Sequence, residues 1–226
     1  MNFKTFKKII SVLPSNANKL YHDVSFSPLV VADSKILVCD GIVIVSCIEP
    51  TETNTRISIS PENFSILLNS NGENVYFKDR LYIDDTSFDN ADNFMIYEES
   101  DRLFKDAKEK NIYTMPMLKL ENIKCKSVSI NQYGVHYADD DNKILKSTPF
   151  NSPKISDTPK GYISFQYKYL YSVLEMFKRL NILPVIKFGS GTNVMFESPT
   201  IECILMQYNI PVNFKYIKCE DDEQDW

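Results

Sequence analysis

Two histidines and six glycines among 226 residues leave little material for chemistry. No G-x-x-x-x-G-K-[ST], G-x-G-x-x-G or G-x-S-x-G run occurs, which excludes the phosphate loop, the dinucleotide fingerprint and the nucleophile elbow. His22 and His136 share no zinc-ligand spacing with the cysteines or aspartates, and His136 reads as a strand side chain within Val135-His136-Tyr137. Five cysteines, an odd number without C-x-x-C, read as the reduced thiols of an intracellular protein. Asp139-Asp140-Asp141 lacks the interleaved ligands and glycine of a calcium loop and reads as an acidic turn between strands. Gly189-Ser190-Gly191 makes no phosphate cradle, because no helix follows it. The longest apolar run, Ile42 to Ile48, is broken by Ser46 and is too short to cross a bilayer. Met1 to Leu13 carries lysines but neither the apolar core nor the cleavage site of a signal peptide. The expectation is a chain that is not an enzyme, with no catalytic residue, cofactor, metal or membrane contact, in an intracellular, reducing compartment.

What is present is aromatic and apolar. Hydrophobic content of 43% supports a proper core, and 13 Tyr with 14 Phe favour strands. The length suits one large domain or two small ones. The net charge of −5 resides in Glu220 to Trp226, which holds five carboxylates and no base; the remaining chain balances 25 basic against 25 acidic residues. A neutral body can still present a basic face, so charge neither demands nor excludes nucleic acid.

The clearest pattern spans Tyr162 to Tyr208. A strand ending at Phe165 leads into a helix over Gln166 to Leu180, with Tyr167, Leu170, Val173, Leu174 and Phe177 on its apolar face. Asn181 and Pro184 stop it. Val185–Phe188 and Val194–Phe196 flank a turn to form a hairpin, and Ile201 to Met206 is a last strand. A fainter copy comes earlier: Ile59 to Leu68 aligns without a gap with Phe165 to Leu174, with Ser60 as N-cap and Pro61 at the first helical position. Val75–Phe77 and Leu81–Ile83 match the later hairpin. Ile36 to Val45 likewise parallels Val128 to Tyr137. A repeat of roughly a hundred residues exceeds solenoid periods and means two similar domains in tandem.

Elsewhere, Phe3 to Leu13 reads as an amphipathic helix, with strand at Val24 to Phe26 and a polar loop over Glu49 to Asn54. Asp84 to Asn93 reads as a surface loop, and Phe94 to Tyr97 as the strand closing the first domain. A third helix falls at Glu98 to Lys110, the alternative being Met117 to Lys126. Ser147 to Gly161 reads as an exposed loop.

The duplicated strand, helix, hairpin, strand unit resembles the DNA polymerase sliding clamps. Phe165 to Leu174 looks like the segment of the bacterial clamp's last domain in which an aromatic residue precedes a helix, Ile201 to Met206 like its last strand, and Val31 to Val38 like its first hairpin. The length resembles that of the two-domain, trimeric PCNA and phage type. The resemblance implies an α+β fold of two tandem clamp-like domains, residues 1–98 and 99–218, with an acidic disordered tail at 219–226. Helices would line a ring and sheets would form its outside. It implies a processivity factor that encircles duplex DNA, tethers the polymerase, and receives polymerase and clamp loader through short peptides. The basic residues on predicted helices are then DNA contacts: Lys4, Lys7 and Lys8; Arg102, Lys105 and Lys108; Lys168, Lys178 and Arg179. Lys7, Lys8, Lys168 and Arg179 are expected on the solvent side. The second helix departs from this pattern because it carries no base. Ile204 and Met206 match groove residues by position, and Trp226 is the candidate anchor of a partner-binding tail. If the source is a phage or virus, the compartment is the host cytoplasm. The alternatives are a single-stranded-DNA-binding protein using aromatic platforms and the acidic tail, and a viral structural or scaffold protein.

Overall fold

Asn2 accepts a hydrogen bond from the Lys4 amide and starts α1 (Phe3–Ile10), whose Phe3, Phe6, Ile9 and Ile10 are buried. In this computed structural model the described residues are 1–13, 27–48, 56–115, 118–131, 134–149 and 162–208. Ser60 caps α2 (Pro61–Asn69) by accepting from the Asn63 amide at 3.2 Å, with Pro61 at its first position. α3 (Met95–Lys110) has no side-chain cap. α4 (Tyr167–Arg179) ends at Asn181, whose φ of 58° places it in the left-handed region. The Asn181 and Ile182 amides return to the Lys178 and Phe177 carbonyls at 3.0 and 2.9 Å, the paired bonds of a Schellman end.

The chain forms two compact units, Met1–Leu120 with Lys168–Gln207, and Glu121–Tyr167 with Tyr208–Trp226. The first contains β1 (Leu29–Ala32), β2 (Lys35–Cys39), β3 (Val43–Ile48), β4 (Ile57–Ile59), β5 (Val75–Phe77), β6 (Leu81–Ile83), β7 (Thr86–Phe88) and β8 (Tyr113–Met115). The second contains β9 (Ser127–Asn131), β10 (Gly134–Ala138), β11 (Ile144–Pro149) and β12 (Tyr162–Gln166); β13 (Val185–Phe188), β14 (Asn193–Glu197) and β15 (Ile201–Met206) return to the first.

An eight-stranded antiparallel sheet of order β4-β1-β2-β3-β15-β14-β13-β8 dominates the first unit. Its central seam pairs β3 with β15, from Ile201 opposite Cys47 to Leu205 opposite Val43. Gly41, at φ 86°, turns β2 into β3, and Asp40 Oδ1 accepts from the Ile42 and Val43 amides at 2.9 and 3.0 Å. Because strand side chains alternate, Met195 and Phe196 point to opposite faces. Phe177 of α4 stacks on Phe196, centroids 6.2 Å apart. Each ring is fully buried and contributes roughly 1.5–3 kcal/mol by leaving water. The other face carries Val30, Leu37, Cys39, Ile44, Met195 and Ile204 under Phe104 and Ala107 of α3. α3 and α4 therefore cover opposite faces. A three-stranded sheet, β5-β6-β7, extends through a bridge between Asn2 and Asn74, and Phe6 of α1 meets Phe77 edge-on at 5.8 Å.

The second unit is a four-stranded sheet, β11-β10-β9-β12. Val128, Ile130, Tyr137 and Phe165 share one face, while Ser147, His136, Ser129 and Ser164 form a polar row across the other. The Gly134 amide donates to Asn131 Oδ1, fixing that oxygen as an acceptor. His136 Nε2, 3.0 Å from it, therefore carries the ring proton, and Ser147 Oγ donates to Nδ1 at 2.8 Å. Burial lowers the His136 pKa to about 4. The unfolded chain then binds the extra proton between about pH 6.5 and 4. Stability from this group is complete above pH 6.5 and falls as pH drops through 4, by up to about 3 kcal/mol. Denaturant melts of wild type and His136→Gln at pH 7 and 4.5 should show this loss in the wild type and a smaller one in the variant.

The third helix follows the 98–110 reading, and residues 118–126 contain no helix. Three expectations are corrected. Phe94–Tyr97 is not a strand but the cap and first turn of α3, because Tyr97, Ser100, Phe104 and Ala107 continue one helical face. Within Asp84–Asn93, Thr86–Phe88 forms β7, held by β6 and by burial of Phe88. Ser147–Pro149 belong to β11 rather than to a loop. The expected strand at Val24–Phe26, the Glu49–Asn54 loop, the rest of the proline-rich segment and the tail with Trp226 lie outside the described residues. Asp139–Asp141 form the acidic turn between β10 and β11, Asp139 Oδ1 accepting from the Asp141 and Lys143 amides.

Candidate nucleic-acid interface

Sequence places three lysines and no acid on α1, and the fold sets this helix beside two helix ends. Lys7 Nζ donates to the Ser70 carbonyl past α2 at 2.7 Å, and Lys8 Nζ donates to the Arg179 carbonyl at the end of α4 at 2.6 Å. Both lysines thus meet carbonyl-rich C-termini, where a cation is favoured. They are half-buried, which corrects the expectation that they face solvent. Lys4, Lys168, Lys178 and Arg179 are exposed. Lys168 lies 5.0 Å from the centroid of the Tyr169 ring. Lys178 and Arg179 share Glu175, at 2.9 and 3.7 Å, and the Glu175 hydrogen bond raises the Lys178 pKa. α2 contributes Glu62 and no base.

The nine predicted basic contacts divide between two faces. Arg102, Lys105 and Lys108 ride on α3, across the sheet from α4. Arg102 pairs with Glu99, its Nε 2.8 Å from Oε2, and Lys108 pairs with Glu202 at 2.5 Å. α3 carries five carboxylates against four bases, which distinguishes it from the basic α1 and α4. That imbalance is legible in the sequence and sets α3 apart in charge from α1 and α4.

Of the predicted groove residues, Ile204 is buried beneath α3. Met206, 39% exposed, sits at the end of β15 with its amide bonded to the Ile42 carbonyl at 2.9 Å. A groove of about 410 Å³ follows the flank of α3 between Ile48, Phe104 and Pro199. A second, of about 480 Å³, lies between Leu118–Leu120 and the end of α4 at Leu183. Neither is lined by Ile204 or Met206, and sequence reasoning anticipated neither, since each joins segments distant in the chain. Among the described residues no three His, Cys, Asp or Glu side chains are placed to hold a metal ion, and no helix is long and apolar enough to cross a membrane.

Comparison with solved structures gives the class of fold. The chain is similar to the DNA polymerase III subunit beta of Borrelia burgdorferi, solved with a natural product: 15% identity, TM-score 0.53, covering 93% of this chain and 63% of that one. It is similar to the beta subunit of Thermotoga maritima at 14% identity and TM-score 0.54, covering 97% and 67%. It is also similar to the Helicobacter pylori beta clamp bound to a DNA ligase peptide, at 11% identity and TM-score 0.53, covering 92% and 62%. The chain spans about two thirds of the length of these clamps. No family model and no curated protein matches the sequence. The likeness shows the fold: α+β, resembling bacterial beta sliding clamps over most of the chain.

Proposed function

We propose that this chain is the subunit of a DNA polymerase sliding clamp, a non-enzymatic ring that encircles duplex DNA and tethers the polymerase. The observation that carries this reading is the pattern of sheet edges. The eight-stranded sheet joins two halves, β4-β1-β2-β3 and β15-β14-β13-β8, at the β3–β15 seam. The other two sheets repeat these halves. β12-β9-β10-β11 has the strand plan of the first, and β7-β6-β5, continued by Asn2, has the plan of the second. They end on edges, β11 and β7, that have no partner strand among the described residues. Pairing β11 of one copy with β7 of the next rebuilds the eight-stranded sheet and removes both edges.

On this reading the domains are 1–98 and 99–218, followed by the acidic tail 219–226. A six-domain ring takes three chains, as in the two-domain PCNA and phage type. Helices α1, α2 and α4 face the DNA backbone through Lys4, Lys168, Lys178 and Arg179, with Lys7 and Lys8 behind them. Arg102, Lys105 and Lys108 stay on the far face. Polymerase and clamp loader bring short peptides to the surface around Met206, and Trp226 anchors a separate partner within a reducing, intracellular setting. Light scattering at tens of micromolar should give a mass three times 26.1 kDa. A protein that stays monomeric under those conditions overturns the proposal.

A further inference from the structure

α3 has the smallest buried share of the four helices among the described residues. Only Ser100, Phe104 and Ala107 of its sixteen residues are buried, against four of eight in α1 and six of thirteen in α4. Pairing of Arg102 with Glu99 and of Lys110 with Asp106 supports it as a helix in its own right. Its two ends are tied by short-chain anchors. Before it, the Ala91 amide bonds to the Ser58 carbonyl and the Asn93 amide to Ser58 Oγ, at 2.8 and 2.9 Å. After it, the Ser190 amide bonds to the Lys110 carbonyl at 3.3 Å, and Asn111 Nδ2 donates to Asn193 Oδ1 at 2.8 Å. Gly189 permits this approach, since a Cβ there would lie 1.9 Å from the Lys110 oxygen. Between the anchors, the body rests on the sheet through Phe104 and Ala107, with Ile96, Tyr97 and Leu103 partly buried beside them. It is latched at its rim by exposed polar contacts: Tyr97 to Asp33, Lys35 to Asp101 at 2.9 Å, and Lys108 to Glu202 at 2.5 Å.

We propose that α3 is a strap over the β3–β15 seam that lifts locally, exposing an apolar seat of Val30, Leu37, Cys39, Ile44, Met195 and Ile204. A body with only three buried residues and a rim of exposed latches, over strands that are laddered and buried, favours opening of this segment before the sheet itself opens. The proposal rests on the clamp reading in one respect: it makes the strap the regulator of the partner surface. A partner peptide gains Ile204 only from the open state, so its apparent affinity scales with the open fraction.

Cys39 reports the opening. It lies under α3, and burial pushes its thiol pKa up to about 12, so it is inert while covered. Cys203 and Cys47 are buried on the opposite face of the same sheet. In a full-length Cys125→Ser, Cys219→Ser background, N-ethylmaleimide labelling under native conditions is followed at each cysteine by mass spectrometry. Cys39 should react about tenfold or more faster than Cys203, as local opening requires. Lys35→Glu with Lys108→Glu places like charges against Asp101 and Glu202, and should raise the Cys39 rate about tenfold further while leaving Cys203 unchanged. Equal rates at Cys39 and Cys203 in the parent, or rates that rise together in the variant, overturn the strap. The measurement needs neither DNA nor partner. A monomeric protein with a lifting strap would sink the clamp reading alone, and a trimer with equal rates would sink the strap alone.

Discussion

Replacing Lys4, Lys168, Lys178 and Arg179 together by Glu should lower affinity for a short duplex by at least about tenfold at low salt, without unfolding the chain. All four side chains are exposed on α1 and α4. The fold survives because none of them is a buried anchor, and because Lys7 and Lys8, whose ammonium groups meet the Ser70 and Arg179 carbonyls, are left in place. Backbone contacts of this kind act by releasing counterions, each contributing about 0.9 to the slope of log affinity against log salt. Losing up to four of them should flatten that slope by about 3 to 4, so wild type and variant converge as salt rises. The matched control reverses Arg102 and Lys105 on α3, across the sheet from α4, and should leave affinity and slope unchanged. Fluorescence anisotropy with duplexes of unrelated sequence measures both. Equal salt slopes for the quadruple variant and wild type, or a larger loss from the α3 control, would place DNA on the other face.

That control exists only because the structure separated what the sequence had grouped. Helical periodicity identified α3, yet periodicity defines a helix's apolar stripe and not the face of the sheet that receives it. The face is decided by Leu37, Ile44, Met195 and Ile204, residues from four strands in two distant parts of the chain. Ile204 was matched to a groove because its strand was readable; its burial under α3 was not, since that contact joins residues about a hundred positions apart. Lys7 and Lys8 looked solvated because their acceptors are backbone carbonyls that no composition reveals. By contrast, Ser60 with Pro61, Asn181, and the hairpins around Gly41 and Gly189 act locally, and the structure follows them residue by residue. β7 and the end of β11 escaped notice because their exposed positions are polar and they hold few buried side chains. An edge strand with that composition reads as loop until its neighbour is known.

These two edges set the largest expected change in assembly. Ser87 of β7 and Leu145 of β11 are exposed, and Leu145 keeps 49% of its surface in water. Putting Lys at both positions places like charges on the two sides of the proposed seam, each such cross-strand clash costing about 0.2–1 kcal/mol. A closed ring of three copies contains the seam three times, so up to about 3 kcal/mol opposes trimer formation. On the order of a hundredfold follows in the monomer–trimer constant, because about 1.4 kcal/mol is a factor of ten. Light scattering across a dilution series should show the double-Lys protein dissociating at concentrations where wild type remains trimeric, with an unchanged far-ultraviolet spectrum. Ser87→Lys combined with Leu145→Glu changes the same two positions but sets opposite charges across the seam, and should trimerise at least as well as wild type. If both doubles dissociate alike, the substitutions disturb the strands rather than oppose each other, and the β7–β11 seam is not supported. If neither dissociates, the copies meet elsewhere.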